Sequence, residues 1–134
     1  MFLSLLKPEE KELFLDLCVH AANANEVFSE SEKDLIQTYC MEMGINVPEN
    51  LMPHEIDQII EKLNSASDMR SKKIIILELL GLVLVDKDYD VKEKNFMYQL
   101  SNELGIQTDV LEEMSAKLHS YLQLCEELGE LVLK

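Results

Sequence analysis

The amino-acid sequence predicts an all-α domain, a compact bundle of about six or seven helices. Apolar residues recur every three or four positions along most of the chain, which is the spacing of one face of a helix. No segment shows the alternation of apolar and polar residues that a half-buried strand requires. The 134 residues include only four glycines and three prolines, so few positions interrupt regular structure.

Three helices are predicted in the first half of the chain. The first begins at Pro8, because proline costs nothing in an opening turn and the two acids after it meet the positive end of the helix dipole. The second begins after Ser29, which forms a capping box with Glu32, and it ends at Gly44. The third helix carries the apolar stripe Ile56, Ile59, Ile60 and Leu63.

Three more helices are predicted in the second half. The run from Ile74 to Val85 is apolar on almost every side and too short to cross a bilayer, which predicts a buried central helix. Asp90 and Glu93 repeat the capping pattern at the start of the fifth helix. Thr108 is expected to cap the sixth, whose inward face should comprise Val110, Leu111, Met114, Leu118, Tyr121, Leu122, Cys125 and Leu128.

An internal repeat relates the two halves at an offset of 61 residues. The segment from Ala24 to Glu32 is matched by the segment from Val85 to Glu93. A duplicated unit of about sixty residues predicts one domain over 1–134 with two pseudo-symmetric halves, repeat one at about 8–65 and repeat two at about 68–131. The identical pairs are Glu32/Glu93, Lys33/Lys94, Glu42/Glu103, Gly44/Gly105 and Ile45/Ile106.

The charge balance argues against anionic partners. The chain has 26 acidic and 12 basic residues, for a formal net charge of −14. Such a molecule is repelled by a phosphate backbone or an anionic membrane surface, and no basic patch is denser than the stretch from Arg70 to Lys73. We therefore expect no nucleic-acid partner. The acidity serves either simple solubility or a cationic partner, metal ions included.

The cysteines and the start of the chain predict a cytoplasmic protein. Cys18, Cys40 and Cys125 are far apart and lie among apolar residues at helical spacing, which is typical of buried free thiols in a reducing compartment. The segment from Met1 to Leu6 lacks the basic start of a signal peptide. We expect a protein that does not span a membrane.

The candidate metal site is the acidic turn from Asp86 to Glu93. Asp86, Asp88 and Asp90 alternate as the first oxygen ligands of an EF-hand do, and Glu93 could close the site. An ordinary EF-hand is excluded, because Val91 and Met97 stand where its glycine and its last acid are required. A looser Ca²⁺ or Mg²⁺ site, completed by Glu93 or by Glu26 from the first copy of the repeat, remains open. So does the alternative that Asp90 and Glu93 cap a helix while Asp86 and Asp88 are solvated turn residues.

Catalytic signatures are missing from the sequence. His20, His54 and His119 have no acid three residues before them, which excludes the Glu-x-x-His pattern of di-iron bundles. His20 is expected to be a hydrogen-bonded histidine in the interior or at its boundary, rather than a metal ligand. No Gly-x-Ser-x-Gly motif or phosphate-binding glycine loop is present. We therefore predict that the chain is not an enzyme; a metal-dependent hydrolase using the same acids is the weakest hypothesis, since no general base can be named.

The repeated unit resembles the TerB-like domains, named for a tellurite-resistance protein and also present in a DnaJ-type membrane co-chaperone. It combines an apolar helix, an acidic turn and a capped helix ending in Gly-Ile, and the resemblance covers most of the chain. The family turn reads roughly Ala-Asp-Gly-x-hydrophobic-Ser-x-x-Glu. Its positions correspond here to Asn25, Glu26, Phe28, Ser29 and Glu32 in the first copy, and to Asp86, Lys87, Tyr89, Asp90 and Glu93 in the second.

The resemblance implies a non-enzymatic interaction module in a stress-response or envelope-associated assembly, with metal binding suspected at the acidic turns. Asn25 and Glu26 replace the Asp and Gly of the family in the first copy, and Lys87 replaces the Gly in the second. The loss of Asp in the first copy argues against a metal site built symmetrically from both turns. A divalent-cation sensor using the second turn is the alternative function.

Both ends of the chain are apolar. Phe2, Leu3, Leu5 and Leu6 stand at the start, and Leu131, Val132 and Leu133 follow Gly129 at the end. Either the two ends pack on each other or close the core, or they form an exposed patch. An exposed patch would favour a homodimer or docking of another protein.

Overall fold

The computed structural model describes residues 1–24, 29–47, 53–85 and 89–134. Within these ranges the chain forms six α-helices and one short 3-10 turn, with no strand. This confirms the predicted all-α bundle. The 3-10 turn covers Leu3–Leu5, and the helices are α1 Pro8–Asn23, α2 Glu30–Met43, α3 Ile56–Ala66, α4 Met69–Leu84, α5 Val91–Glu103 and α6 Thr108–Leu133.

Helix α4 is the centre of the bundle. It packs against α1, α2, α5, α6 and the 3-10 turn. A helix surrounded in this way must be apolar on nearly all sides, which explains its composition. Its fully buried side chains are Ile75, Ile76, Leu79, Leu80, Leu82 and Val83.

Most predicted helix ends are found where the sequence places them. Pro8 is the first residue of α1. Gly44 ends α2 with φ of 72°, a left-handed conformation that glycine adopts without strain. The predicted cap at Thr108 is wrong. Thr108 is already the first residue of α6, and Gln107 precedes the helix without a side-chain capping bond to the described residues.

The helix bounds carry the 61-residue spacing of the repeat. Helices α1 and α4 both begin and end 61 positions apart, and α2 and α5 begin 61 positions apart. Helix α3 packs on α1 as α6 packs on α4, and α5 packs on α1 as α2 packs on α4. Because the spacing follows from the sequence repeat itself, the division of 1–134 into repeats at 8–65 and 68–131 stays a prediction.

The two ends of the chain behave differently. Leu3 and Leu6 are buried in the core, where the 3-10 turn packs on α2 and α4. Leu131, Val132 and Leu133 are 79–85% exposed. The N-terminal end therefore closes the core, whereas the C-terminal end extends into solvent. The expectation that the ends pack on each other or close the core is therefore correct for the N-terminal end and wrong for the C-terminal end.

Helix α6 is longer than the helices that it packs on. Its 26 residues span about 39 Å at about 1.5 Å per residue, against 16 residues in α1 and in α4. It buries Leu111 and Leu118, but Tyr121, Cys125 and Leu128 are exposed. The predicted inward face is thus correct only in the first part of the helix, and the expectation of a buried Cys125 thiol is wrong. Cys18 and Cys40 are buried as expected.

Among the described helices, none combines the length and the apolar character needed to cross a bilayer.

A buried hydrogen bond joins α2 to α4. The Tyr39 hydroxyl donates to the Glu78 backbone oxygen at 2.7 Å. Burial, the largest cause, raises the pKa of Tyr39 well above its ordinary value, so the hydroxyl remains a donor at all ordinary pH. Gly81 lies beneath this hydroxyl, and a Cβ placed on Gly81 would come within 2.9 Å of the Tyr39 oxygen. Glycine at 81 therefore makes room for the α2–α4 bond.

We predict that Gly81→Ala does not stabilise the wild-type protein. Alanine in a helix ordinarily gains about 0.5–1 kcal/mol over glycine. Here it displaces the Tyr39 hydroxyl and loses a bond contributing about 1 kcal/mol. In a Tyr39→Phe background the same substitution should gain the ordinary amount. Urea unfolding of the wild-type protein, the two single variants and the double variant measures the effect of Gly81→Ala on the free energy of unfolding in each background. Equal gains in both backgrounds would contradict the prediction.

Candidate functional site

In the first repeat the described part of the predicted site is a helix cap. The Glu32 backbone N–H donates to Ser29 Oγ at 3.1 Å, and the Ser29 N–H donates to Glu32 Oε1 at 3.0 Å. This reciprocal pair confirms the predicted capping box. The Glu32 side chain is completely buried. The box thus fixes the start of α2 and holds a carboxylate inside the protein.

In the second repeat the cap is an aspartate. The Glu93 N–H donates to Asp90 Oδ1 at 2.8 Å at the start of α5. Glu93 is completely buried, as its counterpart Glu32 is. Tyr89 is half-buried beside the cap, and burial raises the pKa of Tyr89 to about 12. The Lys94 ammonium lies over the Tyr89 ring, 5.5 Å from its centre.

The structure brings together only part of the predicted metal site. Asp90 and Glu93 meet in one cap, whereas Asp86 and Asp88 lie outside the described residues. In the first repeat Ser29 and Glu32 meet in the other cap, and Asn25 and Glu26 also lie outside the described residues. Across the described ranges, no group of three or more His, Cys, Asp or Glu side chains could hold a metal ion. The Ca²⁺ or Mg²⁺ site therefore stays a prediction that depends on residues 86–88.

His20 is a partly exposed boundary histidine with a hydrogen-bonded ring, as the sequence predicts. Its Nε2 lies 2.7 Å from the His54 backbone oxygen, to which it donates. The His54 ring lies in turn with Nδ1 2.7 Å from Asp16 Oδ2. These contacts tie α1 to the segment before α3, so both rings have a structural explanation.

The structure contains an ammonium–carboxylate cluster at Met1 that the sequence did not predict. The α-amino group of Met1 lies 2.9 Å from Glu42 Oε1 and 3.0 Å from Glu78 Oε2. The Leu3 N–H donates to Glu42 Oε2 at 2.9 Å. Glu78, which interrupts the apolar run of α4, is 3% exposed. Local sequence patterns could not reveal the cluster, because its partners are 41 and 77 positions apart.

The cluster explains how Glu78 is accommodated in the core. Burial, the largest cause, raises the pKa of the Glu78 carboxyl, and the neighbouring ammonium opposes that shift. For the Met1 amine, burial lowers the pKa, but the hydrogen bonds to Glu42 and Glu78 outweigh burial and the pKa is raised. Each charge thus offsets part of the desolvation of the other.

The projecting part of α6 carries a continuous apolar surface, which we call the α6 face. Its members are spaced so that they share one side of the helix. Between α6 and α4 the face continues into a groove of about 360 Å³, whose lining includes Leu77, Val110, Met114 and Tyr121. The exposed members of the face are Tyr121 (48%), Leu124 (58%), Cys125, Leu128 (59%), Leu131 (79%) and Val132 (80%).

The charges of the projecting part lie on the other side of α6. Glu126, Glu127 and Glu130 fall between the apolar positions in sequence and therefore point away from the α6 face. The sequence contains a signal for this surface, since apolar residues continue at helical spacing after Leu122, and α6 is the longest of the described helices.

Comparison with known proteins gives no match, whether to a family model, to a curated protein or to a solved structure. The TerB-like resemblance therefore rests on the residues of the repeated unit alone.

We predict that the cap at Ser29 contributes measurably to stability. Ser29→Ala removes the acceptor for the Glu32 N–H and should lower the free energy of unfolding by about 1 kcal/mol. Ser31→Ala, an exposed serine-to-alanine change inside the same helix, is the matched control and should cost nothing. Chemical denaturation measures both, and equal effects would show that the hydroxyl at 29 does not act as a cap.

Proposed function

We propose that the chain is a non-catalytic interaction module of the cytoplasm, acting in a stress-response or envelope-associated assembly as its TerB-like resemblance implies. The observation that supports this function is the α6 face. Six exposed apolar side chains share one side of a projecting helix, five of them at 48% exposure or more and the sixth being Cys125. Contiguous apolar surface of this kind is typical of sites where proteins associate.

The energetics of this surface favour a partner. Complete burial of one leucine side chain contributes about 1.5–3 kcal/mol. Leu124, Leu128 and Leu131 are each more than half exposed, so that covering them recovers most of that amount for each. Association also costs translational and conformational freedom, but several such side chains on one rigid helix can exceed that cost.

The partner that fits best is a second copy of this chain. The net charge of −14 opposes self-association in general, yet the acids of the projecting part point away from the α6 face. Two copies related by a two-fold axis present the same surface to each other. With the α6 helices antiparallel, the projecting part of each copy can lie along the α4–α6 groove of the other, where Val110 and Met114 offer an apolar floor.

We predict that the protein dimerises through the α6 face. Leu128→Glu places a charge in the middle of this face and should weaken the dimer by about tenfold or more, since the lost burial of a 59% exposed leucine (about 0.9–1.8 kcal/mol) adds to the cost of desolvating the new carboxylate, and about 1.4 kcal/mol corresponds to a factor of ten. Gln123→Glu adds the same charge on the opposite side of the helix and should leave dimerisation unchanged. Sedimentation velocity over a wide concentration range measures the dissociation constants.

A wild-type protein that stays monomeric at every concentration would exclude the second copy as partner. Equal weakening by Leu128→Glu and Gln123→Glu would show that net charge, rather than the α6 face, controls association.

The second proposal is a divalent-cation sensor built on the turn from Asp86 to Glu93. It is supported by the burial of the Glu93 carboxylate, which places a desolvated acid five residues after Asp88. The Asp90 cap limits the proposal, because Asp90 Oδ1 already accepts the Glu93 N–H and could serve a cation only while shared with the helix. Asp86 and Asp88 would then supply the direct oxygen ligands.

We predict that millimolar Ca²⁺ or Mg²⁺ raises the melting temperature of chelator-treated protein if this second function holds. Binding to the folded state stabilises it by mass action. Asp86→Asn/Asp88→Asn should abolish the rise, whereas Asp34→Asn, an exposed aspartate within α2, should preserve it. A rise that survives the double substitution, or no rise in wild-type protein, would remove the turn as a cation site.

A further inference from the structure

The α-amino group of Met1 is held as an ammonium by two acids from different helices. Its nitrogen lies 2.9 and 3.2 Å from the carboxylate oxygens of Glu42 in α2. It lies 3.4 and 3.0 Å from those of Glu78 in α4. Within the described residues, it is the only cation that forms an ion pair with either acid. Both acids therefore depend on this one nitrogen for their counter-charge.

Each acid occupies a position that is unfavourable without a cation. Glu78 is 3% exposed, and a carboxylate left unpaired at such a depth is strongly destabilising. Glu42 lies in the last turn of α2, where the negative end of the helix dipole opposes an acid. The pair thus forms a place for one positive charge, which the N-terminal nitrogen occupies.

The docked nitrogen also positions the residues that follow it. The Leu3 N–H donates to Glu42 Oε2 at 2.9 Å, and the Leu3 side chain is completely buried. The Met1 side chain lines the α4–α6 groove beside Leu77 and Met114. A chemical change at the Met1 nitrogen therefore acts on the core and on the wall of the groove together.

Acylation is the change that this arrangement opposes most directly. In the reaction the neutral amine nitrogen attacks the carbonyl carbon of a thioester donor, so that a C–N bond forms, the C–S bond breaks and the thiol leaves with a proton from the amine. The product is an uncharged amide with one N–H in place of the three of an ammonium. One N–H cannot serve two carboxylates, and it leaves the charge of Glu78 uncompensated.

We propose that the Met1 α-nitrogen is a modification-sensitive site: as a free ammonium it docks the N-terminal turn on Glu42 and Glu78, and acylation by a thioester donor releases that turn. The docked ammonium has no lone pair with which to attack a thioester, so acylation takes place on the undocked turn. The acylated and the docked states exclude each other. Release also removes Met1 from the wall of the α4–α6 groove, and this last consequence rests on the function proposed for the α6 face.

The native Cys18 allows both forms to be made with an unchanged sequence. A synthetic thioester of residues 1–17, with a free or an acetylated α-amine, is ligated to a recombinant chain of residues 18–134 that begins with Cys18. The full chain is then refolded, and the free-amine product is the reference. Leu128→Glu is included in both products for the stability measurement, so that association contributes nothing to it.

We expect acetylation to raise the unfolding equilibrium constant at neutral pH by about tenfold, between the small effect of an exposed ion pair and the large effect of a fully buried one. Chemical denaturation measures this constant. The amide NMR signals of Leu3 and Leu6 should move toward their unfolded positions in the acetylated protein. In protein without Leu128→Glu, acetylation should raise the dissociation constant of the dimer in sedimentation velocity.

Three variants identify the carboxylates as the cause. Glu78→Gln removes the buried charge, so acetylation should then change the unfolding constant by less than about threefold. Glu42→Gln, at the more exposed of the two acids, should also reduce the effect of acetylation. Glu61→Gln, at an exposed acid on α3, is the matched control and should preserve the full effect.

Equal unfolding constants for the free and acetylated proteins, or unchanged Leu3 and Leu6 amides, would overturn the proposal. An acetylation effect of the same size in Glu78→Gln and Glu61→Gln would overturn it as well. A wild-type protein that stays monomeric removes the dimer proposed for the α6 face, while the stability comparison still decides this one. A dimer whose dissociation constant is unaffected by acetylation would show that Met1 does not control the groove.

Discussion

Covering α4 on every side is the constraint on which the rest of the fold depends. A helix with six completely buried aliphatic side chains leaves no face for solvent, so other elements must surround it. Helices α1, α2, α5 and α6 and the 3-10 turn all pack against it. Polar groups of α4 that are buried then need a hydrogen-bond partner from another element. The Tyr39 hydroxyl of α2 is such a partner for the Glu78 backbone oxygen.

The Glu78 side chain extends this constraint to the start of the chain. A carboxylate at 3% exposure needs compensation, which the Met1 ammonium supplies from 3.0 Å. The same contact orders the first residues, so that Leu3 and Leu6 enter the core. One buried acid thereby links the central helix, the N-terminal turn and, through Glu42, the end of α2.

The fold could be predicted from local pattern because its helices are regular and their ends carry strong signals. Pro8, the Ser29 box and Gly44 each act within one helical turn, and all three are found as predicted. The errors concern tertiary contacts. Whether Tyr121 or Cys125 is buried depends on how far the other helices extend alongside α6. The spacing of apolar residues in the sequence does not show this.

The candidate sites also differ in whether local sequence or tertiary contacts form them. The caps of Ser29 and Asp90 follow from neighbouring residues, so the sequence sufficed for them. The Met1 cluster combines residues from distant elements, and only the three-dimensional arrangement brings these residues together.

The three thiols of the chain are sorted by the fold into different chemical environments. Burial, the largest cause, raises the pKa of Cys18 well above its ordinary value, and burial also raises the pKa of Cys40, so both remain protonated and inaccessible. Cys125 is exposed in the middle of the α6 face. The native protein thus carries an intrinsic label site, where a thiol-reactive dye would report occupancy of that face without any engineered cysteine.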